Sequence, residues 1–370
     1  MLNRQRLHRA QERMREQGID AYMILTHDDY IYFFGEVRHQ PRALIPAMGP
    51  PVIITFFGEE DEVKQSLGVD DARVFGTVGP QIKDVVGVMR EMSGGKEQLR
   101  VGVQMWFSTP AFLLNMFQRA NPQVEVVDIA SVMDELRLVK EADEVELMTR
   151  AAQIARTGIE TAVQFLRPGI TENEVGAEIE YAMRKAGGGG VATPVFVNSG
   201  IRSAWLHGTT TEKVVEAGDL VVVDVVPRYR GYCANFTRTF VIGSPTSLQR
   251  ELFETFQQAQ AAGIAAVRPG IRNREIDAAS QQVFADAGYG EQYVPGTSHS
   301  IGLDFEEMPR PTIHPADSRT ELVEGMMLTV GHSVLSVPGV GGVRIEDTFH
   351  LRDGRAQPLV ECGVEFELPA

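Results

Sequence analysis

At 370 residues and 43% hydrophobic content, the chain can bury a substantial core, and its length points to two domains rather than one. A formal net charge of −15 excludes nonspecific attraction to nucleic acid or an anionic membrane surface, both of which need clustered positive charge. The two cysteines, Cys233 and Cys362, form neither a CxxC pair nor a zinc spacing; that argues against a disulfide scaffold or thiolate metal site and fits a reducing compartment, so a cytoplasmic location is expected.

Residues 2–17 set Leu2, Leu7, Ala10 and Met14 at helical spacing among Arg, Gln and Glu, and Gly18 ends that helix. Charges run through this segment without an apolar core and cleavage site, so no signal peptide is expected. No run approaches the roughly 20 apolar residues of a membrane span. AYMILT (21–26) and PPVIITF (50–56) read as buried strands, followed by helices near 81–92 and 109–119 and by strand-like VGV (101–103) and VEVVDI (124–129). The alternation predicts a small α/β domain over 1–130, with a second domain over 131–370. The loop GEVRHQPRA (35–43) carries Arg38, His39 and Arg42, either as solvated surface charge or as ligand-binding groups.

A long helix is expected from about Met133 to Leu166. RPGITENEV (167–175) and RPGIRNREI (268–276) then repeat at an offset of 101 residues, each between two helical patterns. Thr171 and Glu174 form a capping box in the first copy. Two related α/β halves are expected, with helices outside a shared sheet and the buried polar residues inside.

The organising stretch is GDLVVVDVVPRYRGYCANFTRTFVI (218–242), two apolar runs around a Pro/Gly turn that read as an antiparallel hairpin bringing Asp224 near Asn235. A carboxylate inside LVVVDVV must be compensated by a metal, a cation or a ligand, because an isolated buried charge loses several kcal/mol or more of hydration. The bland alternative is an Asp that caps a turn or pairs with Arg238. His299 in SHSIGLD and Glu346 in GVRIED are also polar residues in apolar surroundings, and His207 stands on a loop before the hairpin. Carboxylates and an imidazole together suit a divalent cation, although each alone fits a satisfied core residue equally well.

The ordered set HG, GDLVVVD, NFTRTF, SHSIGLD, EGMMLTV and GVRIED resembles the pita-bread family of methionine aminopeptidase, Xaa-Pro aminopeptidase, prolidase and creatinase. The small domain in front and the LRLVKEADEVELM segment make it most similar to the Xaa-Pro aminopeptidase, prolidase and creatinase branch. The resemblance implies a creatinase-like N-terminal domain and a pita-bread domain of two pseudo-symmetric halves. It also implies a two-metal peptidase centre held by two Asp, one His and two Glu. Carried over, these fall on Asp224, Asn235, His299, Gly331 and Glu346, so two of the five positions have lost their acid.

The family's substrate-side histidines are also changed, to Pro295 and Glu306, while His207 keeps its position. The expectation is therefore a degraded site that holds no metal pair and at most one weakly bound Mn, Co or Zn ion on Asp224, Asn235, His299 and Glu346. Arg38, His39, Arg42, Arg344 and Glu306 are the substrate-binding candidates. His332 follows Gly331 and could supply a replacement nitrogen only through a bulge, since neighbouring strand residues face opposite ways.

Three functions follow: a peptide- or small-molecule-binding protein that has lost peptidase chemistry, a metal-free creatinase-like hydrolase using His207, or a one-metal Xaa-Pro peptidase. A homodimer is implied by the branch.

Overall fold

The computed structural model describes residues 1–76, 78–363 and 365–370. The chain divides into two compact units, Met1–Arg137 and Leu138–Ala370.

The first unit is built on a six-stranded mixed sheet of β1 (Ala21–Ile24), β2 (Ala43–Pro46), β3 (Val52–Thr55), β4 (Asp71–Val74), β5 (Leu99–Val103) and β6 (Val124–Asp128), in the order β4-β3-β2-β1-β5-β6. All four residues of β1, β2 and β3 are buried, as uninterrupted apolar runs require when helices cover both faces. Helix α1 (Arg4–Glu16) starts where Asn3 Oδ1 accepts the N–H groups of Gln5 and Arg6, both at 3.1 Å, and buries Leu7, Ala10 and Met14. Helix α2 (His27–Phe34) follows β1 directly, and α3 (Glu60–Leu67), α4 (Val78–Met92) and α5 (Ala111–Ala120) complete the alternation.

The expected long helix is two. The α6 segment (Ala130–Leu138) is separated from α7 (Ala142–Phe165) because Val139 is drawn into a bridge with Met326 and the Lys140 N–H donates to the Gly325 carbonyl at 3.1 Å. Buried Lys140 then pairs with Glu307 at 2.8 Å.

In the second unit α7 and α8 (Glu172–Lys185) precede β7 (Gly190–Val191), β8 (Phe196–Ser199), β9 (Leu220–Val225), β10 (Pro227–Tyr229), β11 (Tyr232–Cys233) and β12 (Phe236–Ile242). Helices α9 (Ser247–Ala266) and α10 (Asn273–Asp286) precede β13 (Met327–Val330), β14 (Leu335–Val337), β15 (Gly341–Val343), β16 (Asp347–Arg352), β17 (Arg355–Pro358) and β18 (Glu367–Leu368).

The repeated Arg-Pro-Gly-Ile segments occupy equivalent places in the two halves. Gly169 N donates to Val215 O at 2.9 Å and Gly270 N to Leu322 O at 2.9 Å; Glu172 N donates to Lys213 O and Asn273 N to Thr320 O, again both at 2.9 Å. The Glu174 and Glu275 carboxylates cap their helices by accepting the N–H groups of Thr171 and Arg272 at 2.8 and 3.0 Å.

Each helix pair covers its own hairpin. Val221, Val223 and Val225 of β9 pack against α7 and α8, while Leu328 and Val330 of β13 pack against Val267, Ile271 and Ile276. Each such side chain contributes about 1.5–3 kcal/mol by burial. The antiparallel bridge between Thr237 and Glu346 ties the two hairpins together, with the pseudo-symmetric halves expected of a pita-bread domain. Among the described residues no helix is long and apolar enough to cross a membrane.

Candidate functional site

Strand alternation aims Asp224 away from the helices. With Val223 and Val225 packed on α7 and α8, Asp224 faces the other side of β9, opposite Thr237 in the β12 register. Asn235 lies one residue before β12, fixed by its N–H to Thr348 Oγ1 at 2.9 Å, and its Nδ2 donates to Asp224 Oδ1 at 2.6 Å. The cation on Asp224 is not Arg238, which pairs with Asp347 at 2.5 Å; it is Arg344, whose Nη1 stands 3.1 Å from Asp224 Oδ2.

Arg344 sits in the break between β15 and β16, where Thr239 Oγ1 accepts its N–H at 2.9 Å and donates to its carbonyl at 2.8 Å. Its Nη2 reaches Glu346 Oε2 at 2.7 Å and His332 Nδ1 at 2.8 Å. One guanidinium therefore bridges both acids and an imidazole, all buried.

His332 enters this cluster through the bulge that its position demands. The N–H groups of Gly331 and His332 both donate to the Thr297 carbonyl, at 2.8 and 3.0 Å, so two residues stand opposite one. Gly331 adopts φ +108°, which L side chains rarely adopt. The alternation that should turn His332 outward is broken there. Its Nδ1 lies 3.2 Å from Glu346 Oε1 and 3.3 Å from His299 Nε2.

His299 is held by a backbone bond from Thr329 N to its carbonyl at 2.8 Å and by its ring Nδ1 against Ser300 O at 2.9 Å. Phe305 packs its ring 5.1 Å from that of His299 and 5.7 Å from that of His332. Glu306 completes the group, with Oε1 3.7 Å from His332 Nε2 and Oε2 accepting from Thr312 Oγ1 at 3.0 Å.

Burial by itself raises both acids and prefers them neutral. For Glu346 burial is outweighed by the groups packed on it, the Arg344 guanidinium at 2.7 Å among them, and the carboxyl is held below its ordinary range. For Asp224 burial prevails, and the carboxyl is raised despite Arg344. His299 is lowered, first of all by burial.

His207 lies on the exposed loop before β9, beside Gly208, where an added Cβ would come within 2.8 Å of Asn198 Oδ1. Its pKa is lowered, by burial first and with Arg344 adding to it, while Glu306 and Asp224 act the other way. It therefore responds to the cluster electrostatically.

Arg38, His39 and Arg42 belong to the first unit. Arg38 pairs with Glu36 and Glu62, each at 2.5 Å, His39 is exposed, and Arg42 donates to Gln81 at the edge of a small apolar cleft lined by Met23, Leu44, Ile82 and Phe117. The structure thus brings Asp224, Asn235, His299, Glu306, Arg344 and Glu346 together and adds His332. The direct Arg344 bond to Asp224 is the contact that sequence reasoning missed; the only signal was that Asp224 needed a cation.

Two family comparisons match this architecture. Residues 6–139 match the Creatinase/Prolidase N-terminal domain, and residues 146–353 match Metallopeptidase family M24. The chain belongs to family M24. A relative from Bacillus subtilis (strain 168), described as the uncharacterized peptidase YqhT, is 31% identical over 330 residues, covering 89% of this chain and 90% of the relative. A Pyrococcus furiosus protein described as an Xaa-Pro dipeptidase is 34% identical over 254 residues, covering 69% and 72%. The solved structure of an Xaa-Pro dipeptidase from Bacillus anthracis superposes with a TM-score of 0.88 at 28% identity, covering 99% of both chains.

Proposed function

We propose that this M24 chain has given up two-metal hydrolysis of Xaa-Pro peptides and keeps its pocket to bind a peptide or small molecule. The observation that carries this reading is the Arg344 guanidinium, in contact with Asp224 at 3.1 Å and Glu346 at 2.7 Å. The residues present do not fit a pair of dications. Asn235 turns an N–H donor toward Asp224 where a shared anionic ligand is needed, and the acid lost at Gly331 has no side-chain substitute at that residue. Asn235 Oδ1 and Arg344 Nε are buried without hydrogen-bond partners, an acceptor and a donor that a polar ligand could satisfy.

A second reading, metal-free hydrolysis of a small C–N substrate, is favoured by one observation. His207 is exposed at the cluster, and its lowered pKa leaves it neutral and able to accept a proton near pH 7.

Turnover of Xaa-Pro dipeptides with added Mn²⁺ or Co²⁺, followed beside elemental analysis, tests the first reading. Negligible cleavage is expected; robust turnover with two ions per chain would sink it. Hydrolysis of small amides or guanidino compounds that disappears in His207→Ala would favour the second.

A further inference from the structure

Three acceptor atoms in the cluster face one another with no proton between them. The Ser300 carbonyl can only accept, so His299 carries its proton on Nδ1 and presents Nε2 inward as a lone pair. Arg344 Nη2 can only donate, so His332 Nδ1 receives it at 2.8 Å and is a lone pair too. Yet these two nitrogens are 3.3 Å apart, and Glu346 Oε1 lies 3.2 Å from the one on His332 and 3.7 Å from the one on His299. Acceptors buried in this way repel unless something positive sits among them. A proton could fill the gap only by making one imidazole a cation beside Arg344.

The spacing suits a metal ion. A triangle with edges of 3.2, 3.3 and 3.7 Å has a centre about 2 Å from each corner, the length of bonds from Zn²⁺ to nitrogen and oxygen ligands. Glu306 stands beside the other nitrogen of His332, with Oε1 3.7 Å from Nε2, and adds negative charge at the edge of the triangle.

We propose that His299 Nε2, His332 Nδ1 and Glu346 Oε1 form a site for one divalent cation, with Glu306 as a nearby negative charge. It differs from the family's centre in its ligands, since His332 enters where the acids expected at Asn235 and Gly331 are missing. Arg344 gives up its bond to His332 Nδ1 on metal binding and keeps those to Asp224 and Glu346 Oε2. Charge agrees: Asp224, Glu306 and Glu346 against Arg344 leave two negative charges, which one dication matches and two would exceed. Two imidazoles among the ligands favour Zn²⁺ or Co²⁺ over Mn²⁺. The site stands whether the pocket hydrolyses its ligand or only binds it.

Full-length protein stripped with chelator and titrated separately with Zn²⁺, Co²⁺ and Mn²⁺ by calorimetry, with visible absorption for Co²⁺, tests the site. One ion per chain is expected, at least about 10-fold tighter for Zn²⁺ and Co²⁺ than for Mn²⁺. His332→Ala should weaken Co²⁺ binding by at least about 10-fold and change its spectrum, whereas Asp224→Asn should alter affinity by less than about 3-fold. Circular dichroism confirms that each variant is folded, and Glu306→Gln, at the rim of the cluster, provides a milder second variant that should weaken binding. No ion bound, two ions bound, or one ion that depends on Asp224 and ignores both His332 and Glu306 would overturn the proposal. Dipeptide turnover with one ion bound would overturn the loss of hydrolysis and leave this site standing.

Discussion

Gly331 lies against the Ile345 carbonyl so closely that a Cβ built on it would come within 1.8 Å of that oxygen. Together with φ +108°, this means that an acidic side chain cannot be placed at this position by substitution alone. From sequence, Asn235→Asp with Gly331→Glu looks like a repair of the missing ligands. The structure predicts instead that Gly331→Glu or even Gly331→Ala displaces the bulge and lowers stability by about 3 kcal/mol or more. Urea denaturation should show the loss in both, and calorimetry should show no gain in Mn²⁺ affinity for the double variant.

Arg344 is the charge on which the apo cluster depends. Truncation to Arg344→Met removes the guanidinium from Asp224 and Glu346, both almost fully buried, and breaking a buried pair in this way costs about 3–5 kcal/mol. The expected result is a marked fall in the denaturation midpoint at pH 7. Added Zn²⁺ should recover part of it, because a dication supplies charge to Glu346. Unchanged stability would show that the two acids are compensated elsewhere.

Much of this was legible in the chain. The β9/β12 hairpin, the two Arg-Pro-Gly-Ile turns and β13 follow from local pattern, because apolar alternation and capping chemistry act over a few residues. Asp224 announced that it needed a cation, a metal or a ligand, but the sequence offered Arg238, on the partner strand, and Arg344 read as a substrate-binding residue. That choice depends on the break between β15 and β16, which is long-range. The bulge at Gly331 was hidden for the same reason: two N–H groups converge on the carbonyl of Thr297, far away in sequence. The division between α6 and α7 likewise comes from the pairing of Val139 with Met326, while helix propensity runs straight through.

The capping box of α8 should be visible in acid. Glu174 accepts bonds from the Thr171 N–H and hydroxyl at 2.8 and 2.9 Å, and these hold its carboxyl below the ordinary range. A lowered folded-state pKa means that the contribution is present above the unfolded value of about 4.3 and is lost as pH falls through the folded one. Glu174→Gln should therefore flatten the acid limb of the stability profile between about pH 5 and 3, with little change in its shape above pH 6. Denaturation midpoints measured across that range for both proteins provide the check.

Asn235→Asp alone tests how Asp224 is compensated. The Asn235 amide donates to Asp224 Oδ1 at 2.6 Å, and a carboxylate in its place would set two buried acids side by side with only Arg344 between them and neutrality. Two such acids cannot both ionise without a further cation, so one keeps a proton, with its folded-state pKa raised well above the unfolded value of about 3.9. Its contribution to stability is then full below the unfolded pKa and lost as pH rises through the folded one. The variant should be less stable than the parent at pH 8 by about 1–3 kcal/mol, and the difference should narrow as pH falls toward 5. Denaturation at the two pH values measures it, and a difference that stayed constant or widened toward pH 5 would mean that the second acid is ionised and compensated in the fold.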